Sequence, residues 1–229
     1  MFTGRGDTNT LSGGSDMTIL TTEHFTLQSG RQLCLQDIQG RSTIFLTVLS
    51  LSLLAIGYFG TATHFGSAYI AFVLVLVSTL WVLGVLTYMR VLQASVEDTI
   101  IAFGIARIRH RYTELAPNDE KLFVRTTHDD FAGINHEMGS TNSWWQKLMP
   151  SYVVISFVTS VLAGSEIAFA LGELFHAGIA AQAVVGIATF IINLIVFRVL
   201  AVQLFKNIDR FFPSLYPSTS HETGGGATR

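Results

Sequence analysis

Every lysine and arginine of this chain, fourteen in all, lies on one side of four long apolar runs. The runs extend over about 43–60, 68–89, 150–172 and 178–199, each close to the ~20 residues that a helix needs to cross a hydrocarbon core. Arg31 and Arg41 precede the first run, Arg90 to Lys147 fill the interval between the second and third, and Arg198, Lys206 and Arg210 close the fourth. The two short connections hold no lysine or arginine. Because basic residues gather on the cytoplasmic side, both termini and the central segment are expected inside the cell, with the protein multi-pass in the plasma membrane. The expected fold is an all-α membrane protein of four transmembrane helices in two hairpins, with a long cytoplasmic extension of the second helix and a small helical insert.

Composition fits that class. Of 229 residues 49% are apolar and only 13% charged, too apolar for an ordinary soluble domain of this size. A net charge of −2 gives no general attraction to nucleic acid, so the lipid bilayer is the partner that composition implies. Cys34 is the single cysteine, which excludes an intrachain disulfide and a cysteine zinc cage. Residues 1–18 hold no apolar core of the secretory-signal kind, so the first span is expected to act as the targeting signal. Arg5, Gly6 and Asp7 spell an adhesion-type tripeptide, which at this length is a chance match on the cytoplasmic side.

The expected organisation is a disordered cytoplasmic tail over 1–21, an amphipathic helix over 22–42 bent near Ser29 and Gly30, and a first hairpin over 43–89. A cytoplasmic stalk and insert over 90–149, a second hairpin over 150–199 and a cytoplasmic tail over 200–229 complete it. In the stalk, Ile101, Ile105, Ile108, Tyr112 and Leu115 alternate at intervals of four and three, the spacing of an apolar seam on a helix. Such a seam is costly in water, so it is expected to pair with the N-terminal helix, with another subunit, or as a buried connector. Pro117 and Asn118 end the stalk. Trp144 and Trp145, with Lys147 and Pro150, mark the return into the membrane. The segment 205–216 is expected near the interface, and the Gly-rich end after it disordered.

Polar and small residues define the candidate sites. Ser156, Ser160, Gly164, Ala168 and Gly172 recur every four residues in the third run, a face that lets another helix approach closely. The partner of this ladder is a span of the same chain or of another subunit, and together with the stalk seam it suggests a homo-oligomer. Glu166 stands inside the same run, where a carboxylate must be neutralised or partnered; it is part of a cation or proton path, or a protonated group bonded to Thr159, Tyr58 or Ser165, or it lies near water if the span ends earlier. Asn193 and Gln182, with Ser50 and Ser52, are candidates for hydrogen bonds across the bundle.

On the stalk, Arg107, Arg109 and Arg111 surround His110, a group able to hold a small anionic ligand. His128, Asp129 and Asp130 come next in the insert, and a chain reversal at Pro117 would bring Asp130 to Arg107. Helix capping and surface ion pairs are the plainer roles for these residues. No metalloprotease spacing, nucleophile elbow, phosphate loop or nucleotide fingerprint occurs, so the reading assigns no catalytic residue, no metal and no cofactor, and is not that of an enzyme.

Arg107, Ile108, Arg109, His110 and Tyr112 on a helix leaving a span, with His128, Asp129 and Asp130 before a second hairpin, resemble an uncharacterised family of bacterial four-span integral membrane proteins. That resemblance implies a fold over about 23–199 and no activity. The stretch Gln36 to Phe45 is more loosely similar to the helix before the first span in transmembrane effectors of bacterial cyclic-nucleotide defence systems, which implies sensing of a cytoplasmic nucleotide and perturbation of the membrane. The expected function is a signal-responsive membrane effector or channel-like module. The alternative is a non-catalytic scaffold or accessory subunit.

Overall fold

The computed structural model describes residues 7–137 and 148–218. Trp144, Trp145, Lys147 and the Gly-rich end lie outside the described residues. Among the described residues the chain is all-helical, with α1 (Asp7–Ala62), α2 (Ser67–Leu115), a 3-10 helix (Pro117–Leu122), α3 (Phe131–Glu137), α4 (Ser151–Phe175) and α5 (Ile179–Phe211). α1, α2, α4 and α5 are each long and apolar enough to cross a membrane, and the chain is a multi-pass membrane protein. Leu54, Tyr58, Val75, Val184 and Ile192 stand exposed on them, a surface that water penalises and lipid does not.

Two compact units divide the chain. The membrane unit draws its described residues from 35–96 and 148–208, the polar unit from 7–34, 97–137 and 209–218. α1 with 56 residues and α2 with 49 are roughly 84 and 74 Å long at 1.5 Å per residue, more than twice a hydrocarbon core of ~30 Å.

In the membrane unit all four long helices feed one core, with Phe45 from α1, Leu80, Tyr88, Val91 and Leu92 from α2, Ile155 and Leu162 from α4, and Phe197 and Ala201 from α5. α4 is the inner helix: 39% of its most apolar window is buried, against 11% for each of the other three. Its small-residue ladder packs within the chain. A Cβ on Gly164 would lie 2.7 Å from the Gly186 carbonyl oxygen of α5, and one on Gly186 would lie 2.9 Å from Ala168 Cβ. Gly172 meets the Gln182 side chain, while Ser156 and Ser160 are buried. On α2, Gly84 admits Thr159 of α4, whose Oγ1 would be 2.5 Å from an added Cβ. The Tyr88 hydroxyl donates to the Phe197 carbonyl at 2.5 Å, and the two rings lie 4.3 Å apart.

The connection 63–66 turns through two consecutive left-handed residues, His64 and Phe65, and α4 ends on a third, His176 at φ 52°. Gln182 closes this second turn by donating to the Ala177 carbonyl at 2.8 Å. Its hydrogen bond therefore serves the connection, while its side chain packs on Gly172 of α4. Ser50 likewise donates to Leu46 of its own helix, the local bond by which a hydroxyl satisfies itself in an apolar helix.

In the polar unit the stalk seam is covered by α1. Ile101 approaches Gly30, Leu27 sits over Gly104, and the rings of His24 and Tyr112 are 5.8 Å apart; Ile105 and Ile108 are buried. α1 is not interrupted at Ser29 and Gly30, and Gly30 serves this close approach within a continuous helix. Nor is the tail expected over 1–21 present at residues 7–21, which are helical. Thr21, Thr22 and Thr26 donate to carbonyls four residues back, so their hydroxyls are satisfied within the helix and do not end it. The seam from Ile101 to Ile108 and the ladder both take partners inside the chain, while Leu115 at the end of the seam stays exposed.

Replacing Gly164 with Leu should lower the detergent melting temperature, with a cost of about 1–3 kcal/mol from overpacking against Gly186. Gly40 has nothing within 4 Å of an added Cβ, so Gly40→Ala should raise stability by about 0.5–1 kcal/mol through helix propensity alone. An unchanged melting temperature for Gly164→Leu in the same assay would show that the α4–α5 approach is not tight.

Candidate functional site

Asp129 is the organising group of the polar unit, with a side chain that is 0% exposed. It lies just before α3, and its carboxylate accepts four hydrogen bonds. One is from Arg107 Nε of α2 at 2.6 Å. The other three come from the segment after α5: Ser214 Oγ at 2.6 Å, the Leu215 amide at 2.9 Å and the Tyr216 amide at 2.7 Å. The Asp129 amide in turn donates to the Tyr216 carbonyl at 3.2 Å. Arg107 Nη2 donates to the Pro213 carbonyl at 2.6 Å, so the same guanidinium reads both the carboxylate and the strap that covers it.

Asp130 extends the clasp. Its Oδ1 accepts the Gly133 amide at 2.7 Å, capping the start of α3, and its Oδ2 accepts both the amide and the hydroxyl of Ser218, at 2.9 and 2.6 Å. Gly133 is required there, since an added Cβ would meet Asp130 Oδ1 and His128 Cβ at 2.9 Å. The Tyr216 ring stacks on His110 at 3.7 Å. Residues 213–218 thus form a strap fastened at both carboxylates and at one ring. The partner expected for Arg107 was Asp130; the structure gives it Asp129, because Asp130 is committed to the α3 cap and to Ser218.

Charge follows the geometry. Burial alone would push the Asp129 carboxyl up, but the Ser214 hydroxyl, the Leu215 and Tyr216 amides and the Arg107 guanidinium outweigh it and hold the group at about 2, below its ordinary 3.8. Asp130 is lowered in the same way: burial opposes, and the bonds from Ser218 and Gly133, with the nearby His128, prevail.

The remaining candidates do not join this group. Arg109 pairs with Glu137 at 3.4 Å, and Glu137 also takes Arg125 at 3.3 Å. Burial is the largest influence on Arg109 and lowers its affinity for the proton, with Glu137 pulling the other way. His24 is lowered by burial and then by Arg109. Arg111 pairs with Glu114 within its own helix, and that hydrogen bond raises it. The His128 amide bonds to Thr126 Oγ1 at 3.1 Å. The three arginines therefore meet three different carboxylates and do not converge on one anion position. Among the described residues no three His, Cys, Asp or Glu side chains come together as a metal set.

In the membrane unit the Glu166 carboxyl of α4 lies within hydrogen-bond reach of the Ser78 hydroxyl of α2, whose single proton is directed either to it or to the Leu74 carbonyl. Thr159, Tyr58 and Ser165 are not its partners; Ser165 bonds to Leu162 and Thr159 faces Gly84. Asn193 is half-buried in α5.

Sequence reasoning missed the strap, Ser78 and Arg125. Pro213 and Pro217 bracketing a serine and a tyrosine were the one signal for the strap: two prolines beyond a helix end hold a chain extended. The chain matches no protein-family model, no curated protein and no solved structure.

Asp129 has a lowered pKa in the folded state, so its stabilisation is complete above its unfolded value near 3.8 and is lost as the pH falls towards about 2. The amount is on the order of 2 kcal/mol. Thermal unfolding of the full chain between pH 6 and pH 2 should show most of this loss, about half of it by pH 3, and Asp129→Asn should flatten it. A cycle of Arg107→Ala with Asp129→Ala should give a coupling of about 1–3 kcal/mol, while Arg107→Ala with Asp130→Asn should be additive within about 0.5 kcal/mol. Equal coupling for both aspartates would mean that the clasp is one undivided network.

Proposed function

We propose that the chain is a non-catalytic, signal-responsive membrane effector whose switch is the strap at 213–218. In this reading the four long helices cross the membrane as two hairpins, the α2 extension and the insert lie in the cytoplasm with both termini, and a cytoplasmic input displaces the strap. The observation that carries it is the buried Asp129 with three of its four hydrogen bonds drawn from the strap. Such a carboxylate stabilises the folded state only while its donors stay in place; losing them opens it to water with Arg107 as its remaining protein partner, a loss on the order of 2 kcal/mol. The strap is thus held in one of two discrete states, bound or released. It joins α5 directly, so its release frees the chain at the end of the fourth span. The bilayer-perturbing output draws further support from the resemblance of Gln36 to Phe45 to defence effectors.

A non-catalytic scaffold is the second reading, favoured by one observation: Arg107, Arg109 and Arg111 each already have a carboxylate. Liposomes loaded with a fluorescent dye separate the two. The variant carrying both Asp129→Asn and Asp130→Asn should release dye faster than the parent chain if the strap restrains an effector, whereas a scaffold leaves both vesicle populations equally tight. A thermal-shift screen with cytoplasmic anionic metabolites tests the input, since a ligand of the folded state alone must raise the melting temperature.

The orientation is checked by reporter fusions. Cytoplasmic reporters at Thr18 and Ser220 should be active, and one placed at Gly66 should be active only on the outer side. The reverse pattern would remove the polar unit from the cytoplasm and the proposed input with it.

A further inference from the structure

The membrane unit contains a cavity of about 570 Å³ bounded by α2, α4 and α5, within the range of small-molecule sites. Its walls are mainly apolar, with Val153, Leu194 and Phe197 among them, and four polar side chains stand in the lining: Tyr88, Tyr152, Arg198 and Ser156, whose hydroxyl donates to the Val153 carbonyl. Arg198 has no ion-pair partner among the described residues. The Tyr88 hydroxyl is already donated to the Phe197 carbonyl. A guanidinium beside hydrocarbon is costly unless an anion or water meets it.

The level of this cation identifies what can meet it. Arg198 lies nineteen residues beyond Ile179, the start of α5, about 28 Å along the helix, which is close to the full depth of a hydrocarbon core. Tyr152 is the second residue of α4 and lines the same cavity, so the polar end of the cavity sits at a membrane interface. Ile195 and Val199, also in the lining, are 57% and 47% exposed on the outer face of α5, where lipid is the neighbour.

We infer that this cavity binds one anionic phospholipid, its phosphodiester held by Arg198 and Tyr152 and one acyl chain entering between α4 and α5. Guanidinium is the side chain best suited to a phosphate, which it meets through paired N–H donors. A free phosphate would leave the apolar cavity unfilled, and a neutral lipid would leave the guanidinium with no net countercharge. The site is independent of the strap.

The full chain, purified and delipidated in detergent, is offered equal amounts of phosphatidylglycerol and phosphatidylcholine of identical acyl chains, and the adducts are read by native mass spectrometry. The parent chain should retain phosphatidylglycerol about tenfold over phosphatidylcholine, the scale of one charge-assisted contact. Arg198→Gln should abolish that preference, Arg198→Lys should keep part of it, and Ile195→Trp, which fills the cavity from an exposed position, should lower retention of both lipids. Inorganic phosphate at the same concentration should displace neither. Equal retention of the two lipids by the parent chain would overturn the proposal, as would an undiminished preference in Arg198→Gln or displacement of the lipid by inorganic phosphate. The parent-chain comparison stands even if a variant fails to fold.

Discussion

Hydrocarbon offers a backbone N–H or carbonyl nothing to bond to, and the membrane unit is arranged around that fact. Helices satisfy the backbone internally, and side-chain hydroxyls then follow the same rule. Ser50 and Thr87 bond to carbonyls four residues back in their own helices. Helix association in such a medium has little hydrophobic drive and depends on close contact. Gly164 against Gly186 and Gly84 under Thr159 are where α4 comes near enough to its neighbours to gain dispersion contacts, and they make it the inner helix. Glu166 shows the limit of the rule: a carboxyl cannot satisfy itself within its helix, so it lies against the Ser78 hydroxyl of α2.

The polar unit solves the opposite problem. Water is an alternative partner for every group, so apolar burial between α1 and α2 supplies the drive, through Leu27, Ile101, Ile105 and Ile108. A buried carboxylate is stable in the interior only where donors meet it, whereas the ring nitrogens His24 Nδ1 and His110 Nδ1 are buried there with no hydrogen-bond partner among the described residues. Asp129 meets that condition with four donors on one carboxylate, one of them charged. The neighbouring Asp130 is divided between an α3 cap and Ser218. Two adjacent aspartates therefore hold the strap at separate points and differ in what each would release.

Periodic features were legible in the residues and pairwise ones were not. The four apolar runs mark the four long helices because length and hydropathy are local properties. The seam Ile101 to Leu115 revealed its need for a cover through its spacing, and α1 supplies it. The Gly30 region misled because a glycine that permits a close approach looks the same in sequence as one that breaks a helix. The Thr-rich start of α1 misled for a related reason, since threonine hydroxyls can compete with helix or be satisfied within it. The clasp could be seen only from one side: Arg107, Asp129 and Asp130 stood out as charges, while three of Asp129's partners are backbone amides or a serine 85 to 87 residues away. The link from Ser78 to Glu166 spans 88 residues and has no local signature either.

The separation along the chain between Asp129 and its strap sets an order of assembly. During synthesis Asp129 emerges 85 residues ahead of Ser214, and α4 and α5 both lie between them. Until the strap has been made, the carboxylate lacks most of its donors and gains by staying hydrated. Closure of the polar unit is therefore a late event, since the strap is synthesised after α4 and α5. Asp129 open to water thus distinguishes an unfinished chain from a finished one.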